Sequence, residues 1–428
     1  MKKYLFISLI IFFCLSCKKN KDITPPEIII SLPVNDQLIS AIDTFQIEGN
    51  ISDNKQLLSI SVVLLDYNQK QVSDIHYIEP TENPFKLETQ FIINNIYLET
   101  ETYFLQITAD DGINLSKKFI ELNLTEIQKE LISIYTFCQS STNQITAFEV
   151  NKSGIISQVL MLDDDFNDAV VNSYSKQISV QYKSGVINTY SIDDYNLVWQ
   201  INDYHLSQLE FQGKLNVIQE FTYASNSLGK ITAYDNNGSI RKVATSGSEN
   251  HFPSKFIHHY DYLFVSDKPK SSISEKIEKL NFTTGFYSDS QELDFNLVDI
   301  HAYDNDHVML CGNKNNVAKI CTYSANYNII YQLNNFPDDE YLCSEKISES
   351  DYIFAIGSTT CMYNSTNNIL SEIPSINNVD MIKYDETEKF IYFIDSNVVR
   401  IYSYPQINLI NELTFTDKII ELDFLYNK

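Results

Sequence analysis

The chain reads as an all-β protein: an N-terminal β-sandwich followed by a seven-bladed β-propeller. Three observations predict this. Between residues 27 and 125, short β-rich runs alternate with turn formers, at the strand density of a sandwich. From Ile132 onward one strand pattern returns at steps of 39 to 46 residues, the period of four-stranded blades. Aromatics make up 13% of the 428 residues and hydrophobic residues 43%, enough to build packed cores rather than a disordered chain.

The first residues are of another kind. Met1-Lys2-Lys3 precedes an apolar run from Tyr4 to Phe13, broken only by Ser8. That run is too short for a membrane span, which takes roughly 20 residues. Behind two lysines it reads as a secretory signal. Cys14 and Cys17 have the spacing of a redox pair, but such a pair belongs near a βαβ pattern, and none surrounds it. The run Phe13-Cys14-Leu15-Ser16-Cys17 resembles a bacterial lipoprotein signal, in which a small residue precedes a cysteine that is lipidated and becomes the new N-terminus. The resemblance implies a signal peptide over residues 1–16, lipid on Cys17 and attachment to a membrane. Cys14 stands where that family usually has an aliphatic residue, and it would leave with the signal. The alternative is an ordinary secretory signal on a soluble protein. Residues 17–26 then form a polar tether. In that family an aspartate after the cysteine often marks inner-membrane retention. Lys18 stands there, so the resemblance implies the outer membrane, facing outward or into the periplasm. The Lys-, Asn-, Ile- and Tyr-rich usage and the "SCKKNKD" start look like a Bacteroidetes-type lipoprotein.

Charge narrows the partners. The formal net charge is −25 and the only arginines are Arg241 and Arg400. No nucleic-acid partner is expected on this ground, since phosphate binding needs clustered Lys and Arg. Beyond residue 17 there are five cysteines: Cys138, Cys311, Cys321, Cys343 and Cys361. An odd number without regular spacing reads as buried free thiols; a Cys311–Cys321 bridge across a hairpin is the one alternative.

Residues 27–125 carry the sandwich. Strands are expected at Ile28–Leu32, Phe45–Ile51, Leu57–Leu65, Val72–Ile78, Phe85–Ile93, Tyr103–Ala109 and Phe119–Leu124. In the sixth, Leu105, Ile107 and Ala109 alternate with Phe104, Gln106 and Thr108, giving one apolar face. Thr24-Pro25-Pro26 suits entry to an edge strand, because proline cannot donate to a ladder. "TPPEIIISLPVNDQLIS", "IEGNISDN" and "YFLQITADDGIN" resemble a bacterial immunoglobulin-like domain. The resemblance implies a spacer or adhesion module and a tyrosine corner at Tyr103. Asp53, Asp110 and Asp111 are candidate calcium ligands, although a calcium ion takes six to eight oxygens. Their more ordinary role is to bond their own turn backbone.

After a linker at 126–131, residues 132–428 carry the repeat. A strand ending in an aromatic or large apolar residue recurs as ITAF, INTY, ITAY, IEKL, ICTY, TCMY and VRIY, closing at 148, 190, 234, 280, 323, 363 and 402. Tyr260-Asp261, Tyr303-Asp304 and Tyr384-Asp385 form a second, independent marker. The first unit lacks an inner strand and the chain ends in one, "KIIELDFLYN". Pairing Ile419–Tyr426 into the first blade closes the ring and removes exposed edges. "KFIYFIDSNVVRIYSY" is similar to the YVTN/NHL-like propellers, and "LVWQI" around Trp199 to quinoprotein-type blades. Propellers host many functions.

Few residues carry candidate chemistry. His258, His259 and His301 fall on expected inner strands of adjacent blades, with His258 and His301 43 residues apart. Alternation would send one of His258 and His259 toward the central channel, and Asp299 could share the face of His301. Such a group could act as acid and base or begin a metal site, which wants a third protein ligand. Histidines packed between blades are the ordinary alternative. Asp163-Asp164-Asp165 and Pro337-Asp338-Asp339-Glu340 read as solvated loops. No nucleophile elbow, HExxH or P-loop occurs, and no cofactor is expected.

The expected function is therefore that of a non-enzymatic, lipid-anchored envelope protein whose sandwich is a spacer and whose propeller binds protein or glycan. One alternative is a propeller enzyme, a lyase or hydrolase, with His258, His259, His301 and Asp299 converging over the channel. Another is a periplasmic envelope-assembly lipoprotein.

Overall fold

The structure is a computed structural model that describes residues 22–140, 144–163, 165–202, 213–247, 251–269, 274–333 and 336–428. Every regular element among them is a strand. The chain divides between Gln128 and Lys129 into two compact units.

Among its described residues the first unit has eight strands: β1 (Glu27–Leu32), β2 (Gln37–Ser40), β3 (Thr44–Ser52), β4 (Ser59–Leu65), β5 (His76–Ile78), β6 (Phe85–Ile92), β7 (Thr102–Asp110) and β8 (Leu115–Thr125). They form two sheets, β1-β3-β6 and β2-β8-β7-β4-β5. Alternation along β7 buries Tyr103, Leu105, Ile107 and Ala109. These meet Phe45, Ile47, Leu87 and Phe91 from the other sheet in one core. The Tyr103 hydroxyl donates to the Glu99 carbonyl four residues upstream, at 3.3 Å. Strand β2 was not expected from sequence; it is four residues long and runs parallel to β8. The expected run Val72–Ile78 shortens to β5, because Ser73 Oγ accepts the Leu64 N–H and Asn95 Nδ2 donates to Val72 O, replacing part of a ladder.

The second unit is a ring of seven four-stranded antiparallel sheets. Blade 1 takes its inner strand from the C-terminus, Lys418–Tyr426, followed outward by Leu131–Gln139, Ile145–Asn151 and Ile156–Leu162. Inner strands of blades 2 to 7 are Phe166–Asn172, Leu215–Ile218, His251–His259, Asn296–Ala302, Tyr341–Lys346 and Met381–Asp385. Each inner strand touches the next, and that of blade 1 touches those of blades 2 and 7, so the ring closes. The recurring ITAF-type motif lies on the third strand of each blade. Its closing residues face the cores between blades: Tyr234, Leu280, Tyr323 and Tyr363 are all buried.

Closure depends on one strand. Ile419, Leu422, Phe424 and Leu425 are buried against blades 1, 2 and 7. Inside blade 5, Cys311 opposes Ile320 and Cys321 opposes Leu310. That stagger of one residue sends the two thiols to opposite faces. All five described cysteines are free.

Candidate functional site

Among the described residues, five inner strands carry a register slip; in blade 6 it falls at Tyr341/Cys343 and is followed by an uncharged side chain, whereas those of blades 1, 2, 4 and 5 share a device. Each carries a register slip, at Ile419/Glu421, Phe166/Asp168, Pro253/Lys255 and Leu297/Asp299. A bulge of this kind re-aims the next side chain, and in all four cases that residue is charged. In blade 5 the bulge needs Gly312 opposite it: a Cβ there would lie 2.0 Å from the Asn296 carbonyl oxygen.

The re-aimed charges pair across blade boundaries. Lys214, just before the inner strand of blade 3, lies 2.6 Å from Asp168 of blade 2 and 3.5 Å from Glu421 of blade 1. Lys383 of blade 7 lies 2.7 Å from Glu421. Lys255 of blade 4 lies 2.7 Å from Asp299 of blade 5. Asp299 also accepts the Tyr341 hydroxyl at 2.6 Å, and Ser344 Oγ bridges Tyr341 (2.5 Å) and His301 Nε2 (2.6 Å). Burial alone would raise Asp299 and Glu421, but the lysines beside them bring both down to about 2. Burial lowers His301 to about 4 in spite of Asp299 nearby, so its imidazole is neutral at pH 7. Glu345, on the inner strand of blade 6, is pushed by burial up to about 8 against the pull of Lys383. This network satisfies itself: its ammonium groups and most of its carboxylates already hold one another.

The four candidate residues therefore do not converge. Asp299 and His301 do share a face, through Tyr341 and Ser344. His258 does not join them. Lys255 and Asp299 stand at equivalent bulges 44 residues apart, so a spacing of 43 places His258 and His301 on opposite faces of their strands. His258 stacks on Phe282, ring centroids 3.8 Å apart, and burial lowers its pKa. His259 ends its strand at the rim, where its Nε2 donates to the Asp304 carbonyl at 2.5 Å. The carbonyl can only accept, so Nε2 carries the proton.

At that rim the second marker, Tyr260 and Tyr303, opens a cavity of about 540 Å³ across blades 4, 5 and 6. His259 and Tyr260 form one wall, Asp304 and Asn305 another, and Glu349, Ser350, Ser365 and Thr366 the third, with Tyr303 and Lys346 between them. Tyr260 is 58% exposed although its hydroxyl donates to Asn305 Oδ1 at 2.5 Å. Its φ is +50°, a left-handed conformation that is an outlier for a bulky residue. The Tyr303 ring stacks on Tyr352 with centroids 6.2 Å apart. Lys346 donates to the Ala302 carbonyl at 2.8 Å, and burial lowers its pKa. Sequence reasoning recorded Tyr260 and Tyr303 as repeat markers and missed their role at the rim. A second cavity, of about 360 Å³, is a mainly apolar cleft between blades 7 and 1, lined by Ile134, Phe390, Tyr392 and Leu413.

In the first unit, Asp53 and Asp111 approach Asp22, with one oxygen of each within 4.8 Å of the others. Asp110 is not in the group; its Oδ1 accepts the Gly112 N–H. Asp53 and Asp111 also cap their own turns, accepting from Lys55, Gln56, Ile113 and Asn114 backbone groups, and Lys55 Nζ lies 3.2 Å from Asp22. Three carboxylates are the residues that could hold a cation here, fewer than the six to eight oxygens of calcium. Cys17, Asp164 and His205 lie outside the described residues.

No family model matches the chain, and no curated protein matches it in sequence. Among solved structures it is similar to a putative 6-phosphogluconolactonase from Bacteroides fragilis, at 11% identity and a TM-score of 0.49, covering 69% of this chain and 98% of that one. It is also similar to the WD40 β-propeller domain of Doa1, at 11% identity and 0.48, covering 64% and 90%. A third is the β-propeller domain of Cps50 (Swd1) from Myceliophthora thermophila, at 8% identity and 0.44, covering 60% and 88%. The propeller assignment rests on the strand order and ring closure of the chain itself.

Proposed function

We propose that the protein is a lipid-anchored envelope protein that binds through its propeller without catalysing a reaction. The first unit is read as an immunoglobulin-like spacer. The observation that carries the binding reading is the open rim cavity at Tyr260 and Tyr303, lined by aromatic rings and by polar groups with bonding capacity to spare. Small-ligand sites are clefts of roughly 300–1,000 Å³ with a few convergent polar groups, and this cavity falls in that range. The mutual pairing of Lys255, Asp299, Lys383 and Glu421 supports binding over catalysis, because those groups are committed to one another.

The anchor rests on the Ser16-Cys17 pattern. Its test is fractionation of cells that make either the natural chain or Cys17→Ala. The proposal expects the natural chain in outer membranes and the Cys17→Ala protein in the soluble fraction. Equal membrane retention of both overturns the lipid anchor. Protease shaving of intact cells then reads the orientation: clipping of the propeller while periplasmic markers survive places it outside.

A further inference from the structure

We propose that the rim cavity of blades 4 to 6 is a binding site for a neutral oligosaccharide. The inference rests on the binding reading above and names its ligand class. Four features favour that chemistry. Tyr260 presents a 58% exposed ring from a backbone held at φ +50°. The same left-handed φ occurs at Gln219, in the matching turn of blade 3, so it belongs to the hairpin turn itself. Here it holds an aromatic face at the cavity wall, where the C–H face of a sugar ring can stack. Tyr303 supplies a second ring, braced from behind by Tyr352.

The polar lining suits hydroxyl groups. Lys346 spends one donor on the Ala302 carbonyl and an ammonium has three. Glu349 is exposed, and its charge acts on Lys346. Donor and acceptor thus face one cavity, as a sugar hydroxyl that both donates and accepts requires. A polyanionic glycan is disfavoured by the net charge of −25, which repels like charge at range. A protein partner bound as a strand would use an exposed sheet edge, whereas this cavity opens among the turns at the strand ends. An apolar helix would need a groove, and the tyrosine rings are the main apolar surface in the wall.

The experiment uses the purified full chain in a detergent without sugar headgroups. Cellotriose, xylotriose, mannotriose, maltotriose and chitotriose are titrated, with a hyaluronan tetrasaccharide as the charged comparison. Saturation-transfer NMR reads contact and calorimetry reads affinity. At least one neutral trisaccharide is expected to bind with a dissociation constant at or below roughly 5 mM, and the charged sugar more weakly. Tyr260→Gly is expected to weaken binding about tenfold and Glu349→Gln about threefold. Tyr327→Ala, at an exposed tyrosine outside the cavity, leaves it unchanged. Glycine tolerates the left-handed backbone, so Tyr260→Gly holds the melting temperature within about 2 °C; loss of binding then reports the ring rather than the fold. Absence of binding to every neutral trisaccharide overturns the ligand class. Binding that survives Tyr260→Gly overturns the site. If Tyr260→Gly instead abolishes capture of a protein while no sugar binds, the oligosaccharide inference falls and the binding reading stands.

Discussion

Lys255 Nζ lies 2.7 Å from Asp299 Oδ1, across the boundary between blades 4 and 5. The two residues are 44 positions apart, and each follows a bulge in its own inner strand. The pair joins neighbouring blades by charge where the apolar cores between them end.

Removing one partner leaves the other's burial unmatched. Lys255→Met is expected to destabilise the propeller by about 1–2 kcal/mol, since the pair is partly buried, with Lys255 34% and Asp299 19% exposed, and solvent screens part of the loss. Lys255→Met with Asp299→Leu should recover at least half of the loss. Urea denaturation of the propeller transition checks both. A double variant no more stable than the single one would show that Asp299 is held by Tyr341 and Ser344 alone.

Glu345 gives stability a pH dependence. Its folded pKa of about 8 exceeds the ordinary 4.5, so between those values the folded state keeps a proton the unfolded chain has released. Stability from this group therefore falls as pH rises through that window. Glu345→Gln is expected to be more stable than the natural chain at pH 8, by roughly 2 kcal/mol, with the gap closing below pH 4.5. His301 acts in the other direction. Its folded value near 4 lies below the ordinary 6.5, so its contribution is lost as pH falls from 6.5 toward 4. Melting temperatures across pH 4 to 9 check both signs.

Gly312 permits the bulge that aims Asp299. Gly312→Ala would set its Cβ against the Asn296 carbonyl, a backbone atom that cannot swing aside. The expected cost is about 1–3 kcal/mol, read by thermal melting. An unaffected melting temperature would mean that the bulge relaxes freely.

The C-terminal strand closes the ring, so its loss should be disproportionate. Truncation after Asp417 exposes the edge of Leu131–Gln139 and the cores that Leu422 and Leu425 fill. An open edge recruits other chains, and the truncated protein is expected to aggregate during size-exclusion chromatography. The milder Leu422→Ala, at a fully buried position, should cost about 2–5 kcal/mol.

The repeat was readable because each blade must bury the same stripe against its neighbours. Tyr234, Tyr323 and Tyr363 recur at the third strand for that reason, and their spacing alone predicts the ring and its closure by Ile419–Tyr426. The first unit was readable where alternation is clean, as in β7, and less so at β2 and β5, where few residues or side-chain bonds replace a regular ladder. The candidate site was readable only in pieces. The Tyr-Asp marker identified Tyr260 and Tyr303 as repeated positions without assigning them a cavity. The 43-residue spacing of His258 and His301 suggested a shared face, which the 44-residue step between bulges reverses.

By itself the sequence determined the all-β class and the period of the blades, because these follow from composition and from periodicity along the chain. Only the tertiary structure decided which charges meet and which side chains stand open. A one-residue slip flips every later side chain to the other face of a strand. The bulges at Lys255, Asp299 and Glu421 aim charges that meet only when neighbouring blades are assembled, and the cavity beside Tyr260 is built by residues of three blades.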